Sequence, residues 1–327
     1  MSTLSVCLIV RDEERHLTDC LASLDGLADQ VVVVDTGSLD ATREIARRAG
    51  AVLGEHPWAG DFAAARNTAL DLATGEWVLS LDADERLLGD PSGLRAALDA
   101  SGPASWSVEF DDHDARSGPY RFRAPRLFRR AGTRWVGRVH ERPVAAGVDL
   151  TTWPLDPAVL TIRHLGYRDL DVVQGKAVRN LQIARSAVAA ALDTADADLP
   201  VLLLDLGRSA LSAGELQTAV DALEALRDLV PDGSLRRRGT DFLVRVLIVA
   251  GEYPVALHLV EELDRGDAWV RWLRGQALGL SGRADEALEE LDGMNGAGEL
   301  RDLSGCRYDP APLTAFRDLC RRLSAAV

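Results

Sequence analysis

The chain has 327 residues, 47% of them hydrophobic and 27% charged, which is the composition of a folded protein and excludes wholesale disorder. This length predicts two domains, since single domains commonly hold about 150 residues. The formal net charge of −14 disfavours nucleic acid and anionic membranes as partners. The four cysteines form no CxxC pair, and no apolar run approaches the roughly 18 residues needed to span a bilayer. We therefore expect a cytoplasmic protein with reduced thiols, without a signal peptide or a transmembrane segment.

Strand-like and helix-like segments alternate through the first quarter of the chain. Predicted strands cover residues 4–10, 31–34, 51–53 and 76–81, and predicted helices cover residues 13–24, 40–48 and 62–73. This alternation is typical of an open α/β sheet with right-handed crossovers, and such sheets bind ligands at the carboxyl ends of their strands. Asp35 and Asp82 each follow one of these strands, so we expect both at the ligand-binding edge.

The pattern changes between residues 105 and 162, where short extended pieces are separated by glycine, proline and aspartate. We predict hairpins that complete the same domain, with its boundary near residue 170. The run Asp111-Asp112-His113-Asp114 has a metal-like composition, but its glycine- and proline-rich surroundings predict an exposed hairpin loop.

The second half of the chain contains an internal repeat. Gly214, Gly251 and Gly282 are each followed five residues later by an alanine, and then at two further fixed offsets by larger apolar residues. The alanines are Ala219, Ala256 and Ala287. The larger apolar residues are Leu223, Val260 and Leu291 at the first of the two offsets, and Leu226, Leu263 and Met294 at the second. The spacing brackets the 34-residue tetratricopeptide period, with each glycine at a turn between helices and each alanine at a close helix contact. We predict three helical hairpins, at residues 200–230, 240–265 and 268–294; a generic helical bundle is the alternative.

The most informative short motif is Asp82-Ala83-Asp84, which directly follows an apolar strand. Two carboxylates at positions i and i+2 can bind one hard cation through their oxygens, although a solvated turn or a helix N-cap has the same pattern. Asp35 at a neighbouring strand end favours the cation, because acids gathered at one edge repel one another unless they share a cation or ligand.

Four blocks in this order resemble family 2 glycosyltransferases of the GT-A fold: residues 4–14, 31–42 (VVVVDTGSLDAT), 58–67 and 81–85. The branch with an appended tetratricopeptide-like tail, which includes SunS-like enzymes, is the most similar one. The resemblance covers about residues 1–170 and matches the tail in architecture only. It implies a glycosyltransferase domain at residues 1–170 and a helical tetratricopeptide-like domain at residues 171–327.

The resemblance also implies roles for single residues in binding a nucleoside-diphosphate sugar. Asp35 is expected to accept a hydrogen bond from the nucleotide base, in a pocket lined by Val10 and Glu13. Arg66 is expected to contact the nucleotide or its diphosphate, with a helix-surface arginine as the alternative. Asp82 is expected near the ribose or metal, and Asp84 is expected to be the main ligand of Mn²⁺ or Mg²⁺. Asp61 is predicted to be a helix N-cap.

The later part of the domain is expected to supply a base and a further metal ligand. Inverting transfer needs a carboxylate that takes the acceptor proton, and we assign Glu141, with an ion pair to Arg138 or Arg142 as the alternative. By resemblance to a closing His-x-Gly-Tyr segment, His164 is a candidate metal ligand, with His140 as the second candidate; an imidazole ligand favours Mn²⁺ over Mg²⁺. Arg126 and Arg129 are candidates for neutralising the diphosphate.

These expectations together describe a metal-dependent inverting glycosyltransferase. UDP is the expected nucleotide, from the habit of the family alone, and the acceptor is left open among a peptide, a glycan and a metabolite. The alternative is a nucleotide-binding scaffold whose helical tail binds a protein partner without transferase activity. The tail is also a candidate surface for forming a homodimer.

Overall fold

The structure is a computed structural model that describes residues 2–100, 102–114, 118–165, 170–294, 300–303, 307–308 and 311–325. Gly166 and Tyr167 of the His-x-Gly-Tyr segment, and Cys306, lie outside the described residues. The chain divides into two compact units, Met1–Val173 and Gln174–Val327.

The first unit contains most of the strands. In chain order its elements are β1 (Leu4–Val10), α1 (Leu17–Ala22), β2 (Gln30–Asp35), α2 (Thr42–Arg48), β3 (Val52–Glu55), α3 (Phe62–Leu72), β4 (Trp77–Leu81), β5 (Glu85–Gly89), α4 (Pro91–Asp99), β6 (Ser105–Asp114), β7 (Gly118–Arg129), β8 (Thr133–Val136), β9 (Arg142–Ala145), β10 (Val148–Asp149), β11 (Thr152–Pro154) and β12 (Leu160–His164). From Leu170 onward helices dominate: α5 (Leu170–Thr194), α6 (Leu199–Ala213), α7 (Leu216–Leu229), α8 (Gly233–Ala250), α9 (Tyr253–Val260), α10 (Ala268–Leu280), α11 (Ala284–Asp292), β13 (Leu300–Arg301), β14 (Arg307–Tyr308) and α12 (Ala311–Ser324).

Eight strands of the first unit form an open mixed sheet in the order β3-β2-β1-β4-β7-β6-β12-β5. The first four are parallel, whereas β7 runs antiparallel to both β4 and β6, and β12 runs parallel to β6 and antiparallel to β5. Val32, Val33 and Val34 of β2 are fully buried, as expected for a parallel strand covered on both faces, and Val31 is half-buried. The predicted class, an open mixed α/β sheet flanked by helices and followed by a helical region, is confirmed.

The helices of the first unit cover both faces of the sheet. One apolar cluster joins the sheet to α1 and α4, and another joins it to α3. The predicted N-cap of α3 is confirmed, since the Asp61 carboxylate accepts a hydrogen bond of 2.8 Å from the backbone N–H of Ala64. The first helix begins at Leu17 rather than at residue 13, because the intervening residues form turns.

The prediction of an exposed hairpin loop at residues 111–114 is wrong. These residues belong to the long strand β6, which pairs with β7 and, through its later part, with β12. The side chain of Asp112 is fully buried. The polar composition suggested a loop because local sequence does not reveal that a buried histidine lies next to Asp112 on another strand.

Helical hairpins dominate the second unit, as the repeat predicts. The turn glycines Gly214, Gly251 and Gly282 have φ values of +81°, +81° and +84°, a left-handed conformation that glycine adopts without strain. The three repeat alanines are fully buried, each on the second helix of its hairpin. The second hairpin begins at Gly233 rather than near residue 240.

A close helix contact that the repeat pattern did not reveal lies on the first helices of two hairpins. A methyl group added at Gly207 would lie 2.5 Å from Leu223, and one added at Gly275 would lie 2.8 Å from Leu291. Helices α6 and α10 therefore need glycine at these positions in order to pack against α7 and α11. Within the described residues, no helix combines the length and the apolar character that crossing a bilayer requires.

Candidate active site

The predicted acids lie at the same edge of the sheet. Val10, the last residue of β1, is paired with Asp35 on β2, and Leu8 of β1 is paired with Leu81 of β4. The chain that leaves β4 therefore enters Asp82–Asp84 at the level of Asp35, with β1 between them. Two strand spacings, about 10 Å in total, separate the two groups of acids.

Asp35 is held in a tight turn at the end of β2. Its carboxylate accepts hydrogen bonds from the backbone N–H groups of Gly37 and Ser38, each with an oxygen at 3.1 Å, and Gly37 has a φ of +113°. The guanidinium Nε of Arg43 lies 3.9 Å from the same carboxylate. The carbonyl of Val10 accepts from both the backbone N–H and the hydroxyl of Thr36, which ties the ends of β1 and β2 together.

The loops that follow β1 and β2 are hydrogen-bonded to each other. The backbone N–H of Asp12 donates to the hydroxyl of Ser38 at 2.9 Å, and the Asp12 carboxylate accepts from the backbone N–H of Leu39 at 2.8 Å. The backbone N–H of Glu13 donates to the hydroxyl of Thr42 at 2.7 Å. The predicted base pocket residues Val10, Glu13 and Asp35 thus belong to one connected segment of the edge.

Arg66 lies on α3 and is buried, with a relative exposure of 6%. Its Nε donates to Glu141 Oε1 at 2.6 Å, and its two terminal nitrogens donate to the Ser80 hydroxyl at 2.7 Å and to Asp82 Oδ1 at 2.8 Å. Burial opposes the charge, but Asp82 and Glu141 outweigh burial and raise the pKa of Arg66. Arg66 is therefore a fixed cation that joins two predicted site carboxylates, and its predicted contact to the diphosphate stays a prediction.

Asp82 contacts two arginines. Arg66 binds its Oδ1, and Arg126 donates to its Oδ2 at 3.2 Å. Burial works against ionisation, yet Arg66 and Arg126 outweigh it and hold the pKa of Asp82 well below its usual range. Arg129, the second candidate for neutralising the diphosphate, instead lies over the ring of Trp77 at the amino-terminal end of β4, with 4.5 Å from its Cζ to the ring centroid.

Sequence reasoning assigned no role to Glu85, although this residue completes the same cluster. Glu85 is 1% exposed, accepts from the backbone N–H of Asp82 at 2.8 Å and accepts from Arg126 at 3.1 Å. Burial raises the pKa of Glu85 to about 7, with Arg126 opposing the rise and Asp82 adding to it. The only sequence signal for it was its place directly after Asp84.

Asp84 and His164, the two predicted metal ligands, lie next to each other. His164 Nε2 is 3.4 Å from Asp84 Oδ2, and His164 Nδ1 is 2.9 Å from Asp112 Oδ2. Burial disfavours the protonated ring, but Asp112 and Asp84 outweigh burial and raise the pKa of His164 to about 10. This raised pKa favours a protonated imidazole ring between the two carboxylates when no cation is bound.

These donors fit a divalent cation that completes its coordination with phosphate oxygens and water. Among the described residues, no group of three His, Cys, Asp or Glu side chains is arranged to hold a metal ion. Both oxygens of Asp82 carry arginine hydrogen bonds, so Asp84 and His164 are the two protein ligands that fit. Mg²⁺ in nucleotide sites is typically bound by only one or two carboxylates together with substrate phosphates, and imidazole suits Mn²⁺.

The structure therefore places the predicted site residues in two groups at one edge of the sheet. The first group is Val10, Glu13 and Asp35, and the second is Arg66, Asp82, Asp84, Glu141 and His164. Glu141 is joined to Arg66, and within the described part of the chain no ion pair joins it to Arg138 or Arg142. His140, the second candidate for the metal, has a φ of +53° in the segment before β9 and is half-buried.

Comparison with known proteins finds a family match over most of the first unit. Residues 5–138 match the family model described as Glycosyl transferase family 2. A TPR repeat-containing protein of Synechococcus elongatus is 38% identical over 234 residues, which are 67% of this chain and 55% of the relative. The glycosyltransferase SunS of Bacillus phage SPbeta is 27% identical over 194 residues, covering 55% of this chain and 44% of SunS.

Among solved structures, residues 1–349 of S. aureus TarS are similar at a TM-score of 0.41 and 16% identity, covering 89% of this chain and 92% of that one. The chain spans about half the length of the two curated relatives named above. The matched segment contains β2 to β4 and all of β1 except Leu4, together with the Asp82–Asp84 motif and Arg66. Residues 5–138 of this chain therefore belong to glycosyl transferase family 2.

Proposed function

We propose that this protein is a metal-dependent glycosyltransferase that uses a nucleoside-diphosphate sugar. The observation that carries this proposal is the pairing of Asp84 with His164 at 3.4 Å, at the edge where Asp35 ends β2. A carboxylate and an imidazole in contact are a suitable pair of ligands for a divalent cation. The family match supports transfer of a sugar as the reaction.

Asp84 and His164 would hold Mn²⁺ or Mg²⁺, and Mn²⁺ is favoured because one ligand is an imidazole nitrogen. When bound, the cation would act as a Lewis acid that stabilises the charge of the leaving diphosphate. Arg126 adds fixed positive charge beside Asp82, from a side chain that is 17% exposed.

Asp35, with Val10 and Glu13, is assigned to the nucleotide base. The Asp35 carboxylate is nearly buried and is already oriented by the N–H groups of Gly37 and Ser38, so it can accept a base N–H without reorganising. UDP is the nucleotide that we assign, because the uracil ring carries one N–H that a single carboxylate can recognise.

Glu141 is assigned as the base of an inverting transfer. Its Oε1 is bound by Arg66 at 2.6 Å, and its side chain is 14% exposed. Oε2 is the oxygen that we assign to take the acceptor's proton as the acceptor oxygen attacks the anomeric carbon and the diphosphate leaves. Arg66 then acts as a positioning residue, since it fixes Glu141 and Asp82 through one rigid guanidinium.

The helical hairpins of the second unit are assigned to a macromolecular partner. Stacked hairpins of this kind form extended binding surfaces. We propose a peptide or a glycan as the acceptor, and a protein partner or a second copy of the chain as the ligand of the hairpins.

Isothermal titration calorimetry with UDP tests the donor site. The wild-type protein should bind UDP more tightly with Mn²⁺ than with EDTA, and Asp84→Asn should abolish this difference. Asp111→Asn is the matched control, because Asp111 contacts Arg163 and is more than one-third exposed. Binding of UDP that is unaffected by Mn²⁺ in the wild type would contradict the proposed metal site.

A turnover assay distinguishes a glycosyltransferase from a nucleotide-binding scaffold without transferase activity. We expect the wild-type protein with Mn²⁺ to release UDP from at least one UDP-sugar, and Asp84→Asn to release none. Metal-dependent UDP binding without hydrolysis or transfer, across a panel of UDP-sugars and acceptors, would favour the nucleotide-binding scaffold instead.

A further inference from the structure

Asp112 is a fully buried carboxylate that touches a proposed metal ligand. Its Oδ2 lies 2.9 Å from Nδ1 of His164, on the side of the ring opposite to Asp84. A carboxylate without solvent exposure is costly in a protein core unless hydrogen bonds compensate it, and an apolar residue would fill the space at less cost. Packing alone therefore does not explain why an aspartate occupies position 112.

The strand order places Asp112 beside His164. Strand β12 lies between β6 and β5, and Arg163 of β12 is paired with Asp111 of β6, so the next residues, His164 and Asp112, are neighbours. On its other side, His164 is paired with Glu85 of β5, directly after Asp84. Successive side chains alternate between the faces of a strand, so Asp111 and Asp112 point to opposite faces.

An imidazole binds a metal only through an unprotonated nitrogen. A carboxylate that accepts from Nδ1–H keeps the proton on Nδ1, and the lone pair is then on Nε2. In this protein Nε2 is the nitrogen that lies beside Asp84. Carboxylates that orient a ligating histidine in this way also fix the ring and raise its basicity.

We propose that Asp112 is a positioning residue that holds His164 in the Nδ1-protonated tautomer, with Nε2 directed at the cation bound by Asp84. This inference rests on the proposed function, since it assumes that Asp84 and His164 hold a metal. It assigns a specific role to a residue whose surrounding sequence resembles a surface loop.

Mn²⁺ affinity in the presence of saturating UDP, measured from the free Mn²⁺ signal in electron paramagnetic resonance, tests the proposal. Asp112→Asn keeps the shape of the side chain but removes the charge, and we expect the affinity to fall about 10- to 100-fold. Asp111→Asn is the matched control on the same strand, and its affinity should equal that of the wild type. Equal affinity in wild type and Asp112→Asn would overturn the proposal.

A second measurement uses the wild-type protein and needs no variant to fold. With Mg²⁺ and UDP bound, ¹⁵N chemical shifts of the His164 ring should show a proton on Nδ1 and none on Nε2. The opposite tautomer, or a doubly protonated ring, would overturn the proposal. Failure of the proposed function can be distinguished from failure of the role of Asp112. If the proposed function is wrong, the wild-type protein itself binds no Mn²⁺ in the presence of UDP.

Discussion

Arg66 and Glu141 are 75 residues apart in sequence, and their side chains are joined by a hydrogen bond of 2.6 Å from Nε to Oε1. The same guanidinium also binds Asp82, so one buried cation connects the helix α3, the end of β4 and the segment before β9. The position of the proposed base is therefore coupled to the position of the acid motif.

Replacing Arg66 with methionine should destabilise the protein strongly. Methionine fills a similar volume, but it leaves Asp82 and Glu141 without their shared cation, and breaking a buried ion pair costs about 3–5 kcal/mol. We expect the free energy of unfolding in urea to fall by about this amount. Arg48→Met is the control, because Arg48 forms an exposed pair with Glu44 and should change stability by less than about 0.5 kcal/mol. Equal losses in both variants would show that the ion pairs of Arg66 contribute no more to stability than an exposed pair does.

Replacing Glu141 with glutamine should separate catalysis from donor binding. Glutamine can still accept from Arg66 Nε through its carbonyl oxygen, but it cannot take a proton from the acceptor. We expect the turnover number to fall about 100-fold or more, in line with loss of a general base, while the calorimetric affinity for UDP and Mn²⁺ stays unchanged. Glu76→Gln, an exposed site, is the control. Unchanged turnover in Glu141→Gln would move the base to another carboxylate.

The stability of the protein should fall as the pH rises through the alkaline range. Asp112 and Asp84 outweigh the effect of burial and raise the pKa of His164 from 6.5 to about 10. The folded state thus binds this proton more tightly than the unfolded state, so the stabilisation is complete below pH 6.5 and is lost as the pH rises towards 10. Urea denaturation across this range should show a decline of at most about 1.4 kcal/mol per pH unit. His164→Asn should remove this decline, and an identical slope in that variant would refute the assignment.

Metal binding should release a proton from His164. Near neutral pH the ring is protonated in the metal-free protein, because its raised pKa is about 10, whereas a ligating imidazole is neutral. Titration of Mn²⁺ in buffers with different ionisation enthalpies should therefore indicate release of about one proton for each ion bound. A binding enthalpy that does not depend on the buffer would contradict the release of a proton from His164.

Two glycine substitutions in the helical region should have opposite effects. An added methyl group meets no atom within 4 Å at either Gly251 or Gly175, so backbone conformation alone decides the outcome. Gly251 has a φ of +81°, and Gly251→Ala should lower the free energy of unfolding by about 1–2 kcal/mol. Gly175 lies inside α5, and Gly175→Ala should raise the free energy of unfolding by about 0.5–1 kcal/mol. Thermal and urea unfolding measure both, and destabilisation by Gly175→Ala would contradict this account.

The sequence by itself determined the first four strands of the sheet, the helical hairpins and the edge at which the acids lie. The valines of β2 specify a buried strand, and alternation with helices makes the first strands parallel, so the residues that follow them gather at one edge. The turn glycines Gly214, Gly251 and Gly282 likewise marked the hairpins, because a left-handed turn between helices favours glycine wherever the helices pack. These features are local, and local sequence is sufficient for them.

Only the tertiary structure decided which charged side chains meet. The pairing of Arg66 with Glu141 depends on how the chain after β8 returns to α3, and the pairing of Asp112 with His164 depends on β12 lying between β6 and β5. Hydrophobic periodicity predicts which face of a strand or helix a residue occupies, but it does not predict which strand is the neighbour in the sheet. The sequence around a buried carboxylate such as Asp112 therefore predicts a loop. Only the tertiary structure shows that the side chain of His164 lies next to it.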